Sequence, residues 1–147
     1  MRKLAVATLV LAPALATAAG AQHFALSASF GPPVKAGAVG SIAVTFSAKD
    51  PDVHINESPA PRLKLDPEQH VLVDKQAPSP ARVEPFDAEK ARYLDLALPV
   101  TFPVGIAPDA PKGRREVKAN VTYFYCSKSQ GWCRKGSTDV EVTVTVP

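Results

Sequence analysis

Fifteen prolines and eight glycines cut the 147-residue chain into short segments, and within those segments apolar residues alternate with polar ones. Alternation is the period of a β-strand, whose successive side chains point to opposite faces. An apolar period near 3.6 never persists for three helical turns, so the pattern predicts an all-β fold. Residues 23–30 (HFALSASF) read as a first strand, stopped by Gly31-Pro32-Pro33. Residues 39–48 (VGSIAVTFSA) read as a second, with Ile42, Val44 and Phe46 on one face. Short strands follow at 53–56, around Leu63 and Leu65, and at 71–73 after the turn at Asp66-Pro67. Pro78, Pro80 and Pro85 make 76–89 a loop over the body, since proline cannot donate to a central ladder.

Alternation resumes at 93–104 (YLDLALPVTFPV), with Leu94, Leu96 and Leu98 on one face and Pro99 and Pro103 predicting a bend or a sheet edge. A long strand is expected at 116–126 through Val117, Ala119, Val121 and Tyr123, and 139–146 (DVEVTVTV) alternates without a break. About seven to nine strands bounded by turn residues predict an immunoglobulin-like β-sandwich in a single domain.

Arg2 and Lys3 precede an apolar run that ends in the small residues Ala19, Gly20 and Ala21, which is the pattern of a secretory signal peptide over residues 1–21. The domain is therefore expected to span 22–147, in the periplasm or outside the cell. The run is broken by Pro13, and no later stretch has the length of a membrane span. Loss of Arg2 and Lys3 takes the balance from 17 basic against 14 acidic side chains to 15 against 14. With the basic residues dispersed rather than gathered on one face, nucleic acid is not expected as a partner.

The chemistry concentrates at 123–135 (YFYCSKSQGWCRK), which holds both cysteines, the single tryptophan and two of the three tyrosines. The residues between Cys126 and Cys133 begin with the polar run Ser127 to Gly131, a hairpin tip, so the cysteines can face each other across it. An even cysteine count in an exported chain favours a bridge. A bridge closing so short a loop contributes about 2.5 kcal/mol on the loop-closure account. Lys128, Arg134 and Lys135 add positive charge that favours thiolates, the form active in exchange. Two readings stay open: an exchanging pair, and a static staple in an immunoglobulin-like binding module that is not an enzyme.

His54 and Asn56 lie where a strand passes into a loop and could face the hairpin, or could bond the backbone of the Pro-rich segment after them. Phe86 is core packing or a lid. His70 reads as a turn or surface residue. Ligand spacing for a metal is missing, no cofactor is expected, and no hydrolase elbow or phosphate loop is present. Asn56-Glu57-Ser58 and Asn120-Val121-Thr122 match the glycosylation pattern formally, the first followed by Pro59 and the second inside an expected strand.

Over most of residues 22–147 the sequence resembles the N-terminal periplasmic domain of the thiol:disulfide interchange protein DsbD and its stand-alone relatives. The resemblance is carried by VHINESP at 53–59, ALPVTFPVGIAPDAPKG at 97–113 and VTYFYCSKSQGWC at 121–133. It implies an immunoglobulin-like domain whose Cys126 and Cys133 form a redox-active pair. By position it makes Phe86 the cap-loop aromatic, Glu84 the nearby acid, and His54, Asn56 and Trp132 neighbours of the pair. The partners it implies are periplasmic thioredoxin-fold proteins or a separate membrane electron-transfer protein. Cys126, at its strand end, is expected to be the more accessible sulfur.

Overall fold

The computed structural model describes residues 22–75, 78–82 and 92–147. The expected signal peptide, Glu84 and Phe86 lie outside the described residues. Eight strands follow in order: β1 Phe24–Phe30, β2 Val39–Ala48, β3 Val53–Ile55, β4 Arg62–Leu65, β5 Leu72–Asp74, β6 Val100–Ile106, β7 Gly113–Ser127 and β8 Cys133–Val146. No helix occurs among the described residues, so none there is long and apolar enough to cross a membrane.

The strands make two antiparallel sheets. One has the order β1-β2-β6-β5; in the other, β7 pairs with β8 along its whole length and with β3 and β4 on its opposite side. The alternation seen in the sequence is the reason for this division. Ile42, Val44 and Phe46 of β2, Val100, Phe102, Val104 and Ile106 of β6, Val117, Val121 and Tyr123 of β7, and Val140, Val142, Val144 and Val146 of β8 are all buried in one shared core. Fully burying a side chain of this size stabilises by about 1.5–3 kcal/mol relative to leaving it exposed, and this is what holds the two sheets together.

Three expectations need correction. The expected strand over 93–104 is two pieces. Leu94 is buried, but residues 96–98 turn and Leu98 is 43% exposed. The cause is Asp95: its carboxylate accepts the Ala97 N–H at 3.0 Å, its carbonyl accepts the Leu98 N–H at 3.1 Å, and its side chain pairs with Arg82. Local Asx-type bonds of this kind compete with a ladder.

Pro103 is not at a sheet edge either, because β6 is central, with β2 on one side and β5 and a bridge to Ser79 on the other. Thr101 N–H bonds Ser79, so the nitrogen of Pro103 faces the same side, in the gap between that bridge and β5, where no donor is required.

The closing strand also starts six residues before the alternation of 139–146 does. CRKGST is polar and glycine-containing, yet it is strand because β7 supplies a partner throughout.

Candidate functional site

The β7–β8 hairpin places Cys126 directly opposite Cys133, and the two are joined by a disulfide. Alternation sorts the hairpin into two faces. Tyr123 and Tyr125 point into the core, so Phe124 and Cys126 point to the outer face, with Lys135 and Cys133 as their cross-strand partners. The two sulfurs are not equivalent. Cys126 is buried, at 5% exposure, whereas Cys133 is exposed. The expectation that Cys126 is the accessible one is therefore wrong: β3 pairs with β7 on that side, while Cys133 belongs to β8, whose other edge pairs with no strand among the described residues.

His54 sits opposite Cys126 in the β3–β7 ladder, which puts both side chains on the outer face. Asn56 follows two residues later, its N–H bonded to Phe124 O at 2.8 Å. Asn56 Oδ1 lies 3.2 Å from Cys126 Sγ. A thiol at Cys126 can donate to that oxygen. A disulfide sulfur or a thiolate carries no proton, and for these the amide turned over presents Nδ2–H as the donor.

Tyr93 forms the next wall. It bridges to Asn56, is buried, and stacks at 5.2 Å from the His54 ring, with the Lys128 ammonium 5.1 Å from its own ring centroid. Burial, with the Asp52 charge adding to it, raises the hydroxyl above the ordinary tyrosine range, so Tyr93 is a neutral phenol at physiological pH.

Asp52 anchors the tip. Its carboxylate accepts the Ser127 hydroxyl in a short hydrogen bond, the Ser129 hydroxyl at 2.8 Å and the Ser129 N–H at 2.9 Å, and its carbonyl accepts Lys128 N–H at 3.1 Å. The bonds from Ser127 and Ser129 hold the carboxyl below the usual carboxylate range, with a smaller contribution from His54. The bend that sets the carboxylate in place is closed by Asp52 N–H to Asp50 Oδ1 at 3.0 Å.

The cationic side chains divide between the faces. Lys135 shares the face of the disulfide, but Arg134 lies over the Trp132 ring at 4.4 Å on the opposite face. Trp132 is turned the same way, with its ring 5.9 Å from Tyr125 and 5.6 Å from His23, and its Nε1–H donates to Gln130 Oε1 at 2.7 Å. The sulfurs thus have His54, Asn56, Tyr93 and Lys135 around them on one face, without Trp132.

Asp52 and Tyr93 are what the sequence reading missed. Asp50-Pro51-Asp52 signals a turn, and nothing in it says that the second carboxylate closes on a hairpin tip some 75 residues later. His70 is exposed at a turn, with φ 51.

Among the described residues no three His, Cys, Asp or Glu side chains converge as a metal site. A cleft of about 970 Å³ runs past Leu26, Leu65 and Val140, away from the disulfide. Its charged lining is tied up in part by the Lys118–Glu141 ion pair at 3.7 Å and the Asn120–Asp139 hydrogen bond at 2.7 Å. What the hairpin brings together among the described residues is a disulfide and its polar neighbours. Comparison with known proteins finds no matching family, no matching curated protein and no matching solved structure.

Proposed function

We propose that this chain is an exported, immunoglobulin-like thiol–disulfide exchange domain of the DsbD N-terminal kind, acting through Cys126 and Cys133. The observation that carries the reading is the asymmetry of the pair: an exposed sulfur on a free strand, bonded to a buried one beside a side-chain amide. In exchange, a partner thiolate attacks Cys133 Sγ, the Cys133–Cys126 bond breaks, and the electron pair leaves on Cys126, where Asn56 can solvate it. The partner's second thiolate then attacks its own sulfur in the mixed disulfide and releases Cys133. Two electrons and two protons pass to the domain, and the reverse sequence delivers them to a partner disulfide. The partners are periplasmic thioredoxin-fold proteins or a membrane electron-transfer protein.

A staple is poorly motivated at this position. The hairpin it would close is already held by fourteen register pairs between β7 and β8. The second reading, a binding module with an inert disulfide, is favoured by the outer face of the other sheet. There, exposed Val39 and Val73 flank Gly105, over which the Lys75 chain also lies, on a surface otherwise built from small uncharged side chains of β1, β2 and β6.

The reduction potential separates the two. Equilibrating the mature domain in glutathione and dithiothreitol buffers and counting thiols is expected to give a value above about −270 mV, with fast equilibration. A value below about −300 mV, with slow reduction, leaves the binding module as the reading.

A further inference from the structure

Among the described residues strand β8 has a ladder partner on one side only; on its other side β1 packs close without a ladder. The hydrogen-bond phase of the hairpin decides which of its backbone groups point outward. Ser127 N–H donates to Trp132 O, so the next pair along, Cys126 and Cys133, exchanges no backbone bonds. Alternation then turns the N–H and C=O of Cys133, Lys135 and Ser137 away from β7. The far end of the strand keeps the same phase, since Thr145 O accepts Val34 N–H across the outer edge at 3.4 Å. Cys133, Arg134 and Lys135 are exposed, so no ladder strand among the described residues covers the edge where the accessible sulfur sits.

Two further features point to that edge. The disulfide reaches from β8 across to β7, and a thiolate that displaces Cys126 must approach Cys133 Sγ from the side away from the leaving sulfur. That side lies beyond the free edge. Lys135, on the same face as Cys133, sets a cation one two-residue strand step from it, about 7 Å along the edge.

We propose that the edge of β8 over residues 133–137 is a docking strand. An extended segment of the exchange partner adds to it antiparallel, with the partner's cysteine opposite Cys133 and an acidic residue two positions earlier in the partner opposite Lys135. Such strand addition uses main-chain bonds for affinity and alternate side chains for choice of partner. The register also suits the chemistry. A hydrogen-bonded antiparallel pair holds its Cα atoms about 5.5 Å apart, a separation that a disulfide spans. The mixed disulfide to Cys133 then forms without displacing either backbone. This inference rests on the exchange reading above, to which it adds the surface and the partner's chemistry.

The test uses the reduced mature domain and short extended peptides whose single cysteine is activated as a thionitrobenzoate disulfide. Cys133 thiolate attacks the peptide sulfur and releases the chromophore, whose absorbance gives the rate. A peptide with Glu two residues before its cysteine is expected to react about fivefold faster than one with Lys there, at low ionic strength. The order inverts in the Lys135→Glu domain. N-methylation of the Glu backbone nitrogen, which faces Lys135 O, abolishes the advantage. N-methylation of the residue between, whose N–H faces away, leaves it intact.

Equal rates for all peptides, or a charge preference indifferent to N-methylation, overturn the docking strand while leaving exchange standing. If the reduced domain reacts with none of the peptides, nor with the activated amino acid alone, the exchange reading falls with it.

Discussion

The two faces of the β7–β8 hairpin share strands, register and turn, yet they are built on different principles. On the inner face Tyr123 and Tyr125 pack edge-on to Phe24, at 5.8 and 5.6 Å, and Tyr123 meets Phe46 at 5.3 Å. Gly136 stands across from Tyr123, and a Cβ there would come within 2.6 Å of the ring, so the glycine is the space the tyrosine occupies. On the outer face the same strands carry a disulfide, an imidazole, an amide and a cation. The inner face gains its energy from area and fit. The outer face gains little of either, and what it offers is a reactive bond with polar company. A residue can therefore be essential to one face and nearly silent on the other, which makes the two separable by mutation.

The largest separation is expected at Tyr123, which is fully buried. Tyr123→Ala removes an aromatic ring from the core, a change that costs about 3–5 kcal/mol. Thermal or urea denaturation should register that loss, while the reduction potential of the folded fraction stays where it is. A potential that moves with the core would mean that the two faces are coupled and that the division drawn here is wrong.

Asn56→Ala tests the opposite face, with a smaller effect. The amide touches Cys126 Sγ at 3.2 Å, and its strand neighbour Ile55 carries the packing. Losing a hydrogen bond of about 1 kcal/mol slows exchange about fivefold, while the melting temperature changes by no more than a few degrees. Unchanged exchange with a lowered melting temperature would make Asn56 a structural residue and remove it from the site.

The same two faces explain what could be read from the sequence. The inner face announces itself in the alternation, which is why 39–48 is legible to the residue as β2 and why the strand expected through Val117, Ala119, Val121 and Tyr123 turns out to carry core residues. Alternation failed at 95–98, where three leucines spaced by two looked like a strand and a single aspartate side chain made a turn. It also failed at 133–138, where a strand exists only because another lies beside it. On the outer face the cysteines were legible, being chemically distinct and close in sequence. Which sulfur is exposed was not, since that depends on β3 pairing with β7 beside Cys126 while no described strand pairs with β8 beside Cys133. Tyr93 and Asp52 are joined to the hairpin by tertiary structure alone, and a turn signal carries no information about a partner so distant in the chain.

The smallest expected effect belongs to Asp52, which joins the two faces at the tip. Ser127 and Ser129 bond its ionised carboxylate and lower its pKa, so the charged form is the one the folded tip prefers. The sign follows from linkage. A carboxyl whose folded pKa lies below its unfolded value contributes stability at any pH above the unfolded value, and that contribution fades as pH falls through the folded one. Neutral and mildly acidic conditions should therefore leave the tip closed, and protection of the Ser129 amide against hydrogen exchange should fall only below the ordinary carboxylate range. Asp52 is only half-buried, so screening keeps the effect local to the tip. Asp52→Asn should open the tip already at neutral pH, with the β7–β8 ladder and the core intact. Loss of Ser129 protection in the wild type at or above the ordinary carboxylate range would show that the carboxylate does not hold the hairpin, and that its backbone bonds and the disulfide order the tip that presents Cys133.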